Sequence, residues 1–182
     1  EPEDPEWVNT SRGTALRFDG QDDSAEIPGA GELVNQRDSF TLTYEIKYQD
    51  FRNFEVAYGH APFWTEPYRD GSSGVSIRIK DASGSTHRLE SGHVIQSENK
   101  WYEIAYRFNG THLDAFEGGE KVGSLNTGPL NIDLPTEHYV GSYRGDSSNN
   151  VDATIRDVRL WPVSLSSKRI SDISSRAPVS AG

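Results

Sequence analysis

Apolar and polar residues alternate with a period of two through most of the chain. In Phe40-Thr-Leu-Thr-Tyr-Glu-Ile-Lys-Tyr48, one face collects Phe40, Leu42, Tyr44, Ile46 and Tyr48, and the other Thr41, Thr43, Glu45 and Lys47. Successive strand side chains point to opposite faces, so this pattern predicts a half-buried antiparallel strand. Val75 to Lys80 repeats it. Trp101 to Phe108 does so too and runs into Asn109-Gly110, a dipeptide suited to the positive φ angles of a type I′ hairpin turn. Thr111 to Glu117 is then expected to return beside it, and a Gly118-Gly119 turn to lead into Lys121 to Leu125. His138 to Tyr143 and Val151 to Trp161 supply further strands, and helical character is confined to Ser164 to Ser174. There Ser166 or Ser167 can cap the first turn while Ile170 and Ile173, three apart, face inward. The reading is all-β: two packed antiparallel sheets with one short C-terminal helix.

The His60 to Gly71 stretch, "HAPFWTEPYRDG", breaks the alternation by placing three large aromatics among two prolines, and it reads as a loop. The ends, Glu1 to Glu6 and Arg176 to Gly182, read as tails, so the expected organisation is a single domain over 1–182 with its core at about 7–176.

Charge narrows the partners. The 28 acidic residues against 18 basic give a net charge of -10, which repels nucleic acid and anionic membranes at long range. The basic residues are mostly arginine, and an acidic chain poor in lysine points to a high-salt or GC-rich source, the alternative being an ordinary acidic secreted domain. With no cysteine, stability has to come from packing and ions, and cysteine usage indicates no redox compartment. No apolar run reaches membrane-spanning length, so no membrane insertion is expected from this segment. The absence of Met predicts a module of a longer chain.

Four stretches, in order, carry a resemblance to a known family: Ala15-Leu-Arg-Phe-Asp-Gly-Gln-Asp-Asp23 with Ala25-Glu-Ile-Pro28, then "SFTLTYEIK", then "KWYEIAYRFNG" with "LDAFEGGEKVG", and last "ATIRDVRLWPVSLSSKRI". Together they resemble the laminin-G-like domains of the concanavalin A-like lectin/glucanase superfamily, over about Ala15 to Ile173. The resemblance implies a jelly-roll sandwich in which Phe18 begins a core strand, Gly20 turns it, and Trp101 and Trp161 pack into the core. Such domains serve as sugar-binding modules, adhesion and receptor modules, or appendages of enzymes, so fold alone does not choose among them.

Catalysis is not expected. The Glu-x-Asp-x-x-Glu pattern of the superfamily's glucanases is absent, and Asp133-Leu-Pro-Thr-Glu137 is broken by Pro135, which disfavours a central strand. The five histidines lack ligand spacing, and no nucleophile-elbow or phosphate-loop motif occurs.

Three sets of residues are candidates for binding. In the aromatic loop, Trp64 and Tyr68 offer flat faces on which sugar rings stack, and Glu66, Arg69 and Asp70 can hydrogen-bond hydroxyls at the rim; Phe63 is expected to tuck beneath. The Asp19 to Asp23 turn packs three carboxylates, hard oxygen ligands suited to calcium. The resemblance implies a structural calcium held by Asp22 or Asp23, by carbonyls, and by Asp157 on a returning strand. Gly145 to Asp152 is a second oxygen-rich stretch that reads equally as an exposed loop. Asn9 and Asn109 begin glycosylation sequons, which suit an extracellular or cell-surface setting. The expected function is thus a non-catalytic, lectin-like module recognising a glycan. The alternatives are an adhesion module of a pilus, viral spike or receptor binding a surface protein, and an accessory domain of a larger enzyme.

Overall fold

The computed structural model describes residues 4–35, 37–52, 54–66, 74–145 and 149–175. Thirteen strands run in the order β1 (Glu6–Thr10), β2 (Gly13–Asp19), β3 (Ala25–Ile27), β4 (Phe40–Tyr48), β5 (Tyr58–His60), β6 (Phe63–Glu66), β7 (Gly74–Lys80), β8 (Thr86–His93), β9 (Trp101–Phe108), β10 (His112–Glu117), β11 (Glu120–Asn126), β12 (His138–Val140) and β13 (Asp152–Trp161). They form two antiparallel sheets: a seven-stranded one ordered β1-β2-β13-β4-β9-β10-β11 and a six-stranded one ordered β3-β12-β5-β6-β7-β8. The protein is therefore an all-β jelly-roll sandwich, as the alternation predicted.

The core lies between the sheets. From β4 it takes Phe40, Leu42, Tyr44, Ile46 and Tyr48, the apolar face read from sequence, and from β9 Tyr102, Ile104, Tyr106 and Phe108. The six-stranded sheet answers with Tyr58, Phe63, Ile77 and Ile79, so that Phe40 and Phe63 meet edge to face at 5.6 Å. Two pairs of buried polar atoms meet in this layer: the Tyr44 hydroxyl lies 3.0 Å from Thr65 Oγ1, and the Tyr58 hydroxyl 3.0 Å from His138 Nδ1.

Four expectations need correction. Trp101 and Trp161 are half-buried rather than in the core. The parity of β9 decides the first, because with Tyr102 inward Trp101 must face outward, where Arg12 and Lys47 lie within 6 Å of its ring. A second short helix, α1 (Ala30–Val34), was not anticipated; it closes on the 127–137 connection through a Gly31 N–H bond to Thr136. At the β9–β10 hairpin only Gly110 has positive φ, and the Asn109 N–H bonds the His112 carbonyl, so the turn residues are Gly110 and Thr111 rather than the Asn109-Gly110 pair of a type I′ turn. Finally, His60 to Glu66 is a tight hairpin and not a loop. The expected C-terminal helix is present as α2 (Ser167–Ser174), with Ser166 capping the Arg169 N–H and Ile170 buried, whereas Ile173 is half-buried.

Candidate functional site

The β5–β6 hairpin sets the site. Its register pairs Gly59 with Trp64, which pairs in turn with Arg78 on β7, itself opposite Arg88 on β8. Direct cross-strand partners share a face, so Trp64, Arg78 and Arg88 form a row on the outer face of the six-stranded sheet. Phe63 and Thr65, one residue to either side of Trp64, point into the core and are buried. Gly59 makes room for this crossing: a Cβ there would lie 2.6 Å from the Trp64 Cα.

Around Trp64 a cavity of about 300 Å³ is lined by Phe54, Val56, Trp64, Glu66, Arg78, Tyr143 and Asn149. The Trp64 indole N–H donates to Glu66 Oε1 at 3.0 Å, fixing the ring's rotation. The Arg78 guanidinium sits 4.8 Å from the Trp64 ring centroid, and the Tyr143 ring meets Trp64 at 4.9 Å and 77°. The opposite wall is clasped by two bonds, Asn149 Nδ2 to the Phe54 carbonyl at 2.7 Å and the Val56 N–H to the Asn149 carbonyl at 2.8 Å. Phe54 and Asn149 both adopt left-handed backbone, with φ of 66° and 61°. That conformation is costly for a non-glycine residue, most of all for a bulky one such as Phe54, and strained residues concentrate at binding sites.

Of the sequence candidates, Trp64 and Glu66 therefore line one cavity, while Tyr68, Arg69 and Asp70 lie outside the described residues. Sequence reading missed Arg78, Tyr143, Phe54 and Asn149. For Arg78 a signal was present: in Val75-Ser-Ile-Arg-Ile-Lys80 it opposes the two isoleucines, so it had to face outward.

A second feature is the turn after β2. Carboxylate oxygens of Asp19, Asp22 and Asp23 lie within 4.8 Å of one another, the only such group of three or more metal-ligating side chains among the described residues. Gly20 makes the turn with φ of 76°, in the left-handed region that favours glycine. Burial pushes the Asp23 carboxyl above the ordinary carboxylate range, and the charges of Asp19 and Asp22 add to this against the Asp19 N–H bond. Asn150, almost fully buried, places Nδ2 3.5 Å from the Asp23 carbonyl and leaves its Oδ1 without a partner. Clustered carboxylates plus an orphaned buried amide oxygen are a donor set that fits calcium. The register puts Asp152, not Asp157, opposite Asp19. Asp157 stands farther along β13 at a bulge, with φ of 56° and its carboxylate on Arg159, in a shallow cleft with Glu45 and Glu103. Asp152 is itself spent on Arg17 and on Arg52.

On the outer face of the seven-stranded sheet, Glu45 and Glu103 are directly opposite, a spacing at which two carboxylates can share a reaction; here Arg12 binds both. Asp133 to Glu137 is a connection without strand structure, as read, though Ile132 and Leu134 anchor it in the core. Asn9 and Asn109 are both exposed, the first on β1 and the second at the β9–β10 hairpin.

A family model described as the Concanavalin A-like lectin/glucanases superfamily matches residues 19–171. No curated protein sequence matches the chain. Among solved structures, the chain is similar to domain 4 of AbnA, a GH43 extracellular arabinanase from Geobacillus stearothermophilus solved with arabinotriose, at 14% identity and TM-score 0.74, covering 94% of this chain and 81% of that one. It is also similar to the binding domain of Paraclostridial Mosquitocidal Protein 1, at 14% identity and TM-score 0.73, with 93% of this chain and 45% of that one covered. The botulinum neurotoxin serotype G binding domain shows 9% identity and TM-score 0.74, with 93% and 44% covered. The chain thus spans a little under half of the two toxin binding domains. At these identities the likeness is one of fold.

Proposed function

This chain belongs to the laminin-G-like family of the concanavalin A-like lectin/glucanase superfamily, and we propose that it is a non-catalytic module that recognises a carbohydrate in the Trp64 cavity. The observation that carries the reading is the lining itself. Three aromatic side chains, Phe54, Trp64 and Tyr143, offer apolar surface for the C–H faces of a sugar, and Glu66 and Arg78 supply a hydrogen-bond acceptor and donors for its hydroxyls. Concave sites with mostly apolar walls and a few placed polar groups are the usual form of small-ligand sites, and the cavity has the volume of one or two sugar rings. The reading is supported by a domain of the same fold that was solved in complex with arabinotriose and belongs to an extracellular arabinanase. An extracellular or cell-surface setting is part of the proposal.

The Asp19, Asp22 and Asp23 turn with Asn150 is proposed as a structural calcium site. The ion would join the end of β2 to the segment before β13 and neutralise three crowded carboxylates.

A second reading, protein recognition, is favoured by the toxin binding domains that share the fold. A glycan array probed with the wild-type chain and with Trp64→Ala decides between them. Binding to glycans that falls about 30-fold or more in the variant, the scale of a hot-spot ring, with an unchanged melting temperature supports the sugar reading. An array with no hits, or hits that Trp64→Ala leaves intact, defeats it.

A further inference from the structure

Building on the proposed sugar site, we infer that its ligand carries a carboxylate, read by Arg78. Seven of the eleven described arginines are matched to acids, Arg12, Arg17, Arg52, Arg88, Arg107, Arg156 and Arg159, and Arg37, Arg144 and Arg169, which form no ion pair among the described residues, are exposed, whereas Arg78 is half-buried. Arg78 has none among the described residues. Its guanidinium is held over the Trp64 ring instead, and its buried Nε has no hydrogen-bond partner. A ring fixes the position of a guanidinium without consuming its N–H donors, so the planar fork remains ready for a bidentate partner. The ring contact supplies what an ion pair would supply in orientation while leaving the charge open.

The surroundings add to the positive potential at that end of the cavity. Arg144 lies 4.8 Å from the ring of Tyr143, which lines the same cavity, whereas Arg88, directly across the strand from Arg78, is neutralised by Glu90. Glu66 lies at the other end: it is two residues along β6 from Trp64, opposite Ser76, and one of its oxygens holds the Trp64 indole. Its carboxylate forms no ion pair with Arg78. The cavity is therefore polarised along β6, an acceptor at one end and open guanidinium donors at the other, with aromatic walls between. A sugar ring bearing an acid group on one side and hydroxyls on the other matches that order. A quaternary ammonium, the other ligand an aromatic pocket selects, does not, because two of the ring walls already carry an arginine. The chain's net charge of -10 disfavours long polyanions, which leaves single acidic residues or chain ends, such as a sialyl or uronyl terminus, as the matching class.

The test is an array printed with sialyl, glucuronyl and galacturonyl glycans, their neutral parents and their sulfated counterparts, followed by titration of the best acidic ligand and its neutral parent. The acidic member of the pair should bind at least about 10-fold more tightly, and Arg78→Gln should cost that ligand about 10- to 100-fold, the range expected for a charge-assisted hydrogen bond, and the neutral parent several-fold less, so that the preference for the acid collapses. Arg78→Lys, which keeps the charge but not the fork, should recover only part of the loss, and its melting temperature controls for folding. Equal binding of acidic and neutral members, a preference for the sulfated set, or displacement of the bound glycan by choline each overturns the inference while leaving the cavity a binding site. An array without any hit defeats the sugar reading and the inference with it.

Discussion

The outer faces of the two sheets treat charge in opposite ways. On the seven-stranded sheet Arg107 donates two bonds to Asp114, at 2.6 and 3.1 Å, and a third to the Leu165 carbonyl, which ties the sheet to the approach of α2. Asp114 also accepts from Ser124 at 2.7 Å and is nearly fully buried. Burial alone would push its carboxyl up, but Ser124 and Arg107 outweigh this and hold it below the ordinary carboxylate range. Arg12 is likewise closed on Glu45 and Glu103. On the six-stranded sheet Arg88 is paired with Glu90, but Arg78 rests on the Trp64 ring with no ion-pair partner among the described residues. A face whose charges are internally neutralised gains nothing from a charged ligand and acts as scaffold. A face that holds a guanidinium in place and leaves it unneutralised has interaction energy left for something outside the chain.

The largest expected effect tests the closed side. Asp114→Ala strands Arg107, whose side chain is largely buried, and breaking a buried pair from one side costs about 3–5 kcal/mol. For a chain of this size that is a fall of about 6–20 °C in melting temperature. Glycan affinity of the folded fraction should not change. A variant that melts like wild type would show that the network is solvent-screened and that the contrast between the faces is false.

How far the sequence reached follows the same division. Faces are set by parity, and parity is legible wherever an alternating run is long: β4 and β7 were read correctly, and the same rule, had it been applied to Arg78, would have placed that residue outward. Parity was also available for Trp101, but the prior that tryptophan belongs inside overrode it, and the outward position won. The β6 strand was missed because four residues between two prolines offer too short a run, even though Phe63 in, Trp64 out and Thr65 in is an alternation. Pairing register is a different matter. Asp152 and Asp157 differ only in which of them lands opposite Asp19, and a bulge in β13 lies between them. Local patterns do not encode that offset. The convergence of Phe54, Trp64, Tyr143 and Asn149 depends on connections far apart in the chain, and it became visible only in three dimensions.

The carboxylate turn joins the two sheets, so the calcium ion proposed there should matter to both. Calcium bound only by the folded chain at 100 times its dissociation constant stabilises by about 2.7 kcal/mol, and a chelator should remove that. The melting temperature is expected to drop by roughly 5–11 °C in wild type and to be insensitive to chelator in Asp22→Asn/Asp23→Asn. Overlaid melting curves with calcium and with chelator would reject the site. If instead a chelator abolished glycan binding without moving the melt, the ion would sit at the ligand cavity rather than at the turn.

Trp101 and Trp64, on the outer faces of opposite sheets, offer a direct exchange between the faces. Trp101→Ala on the scaffold side should leave glycan affinity within about twofold and cost on the order of 1–2 kcal/mol of stability, from lost packing and cation–π contact. Trp64→Ala should show the reverse. Binding lost in both variants would mean that the ligand reaches the seven-stranded sheet as well.

The smallest effect concerns two buried groups whose pH dependences oppose one another. His138, on β12, is held down to about 4 by burial, with the nearby His60 adding to this. An unfolded histidine titrates near 6.5, so the folded chain binds fewer protons between the two values. The stability linked to His138 is whole above about 6.5 and is lost as pH falls toward 4. Glu55 accepts the Asp152 and Arg52 N–H groups, yet burial outweighs those bonds and pushes its carboxyl up to about 7. Here the folded chain takes up a proton that an unfolded glutamate, near 4.3, does not. Its contribution is fully present below about 4.3 and is lost as pH rises through 7. Between pH 5 and 6.5 the slopes have opposite sign, and the melting temperature of the wild-type chain should be nearly level. Glu55→Gln leaves the histidine slope exposed, and its melting temperature should fall on acidification from pH 6.5 to 5. His138→Gln leaves the glutamate slope, and its melting temperature should rise over the same interval. Each slope should be on the order of 1 kcal/mol per pH unit, a few degrees in the melt. Parallel pH profiles in the two variants would show that neither group is buried in the charge state assigned to it.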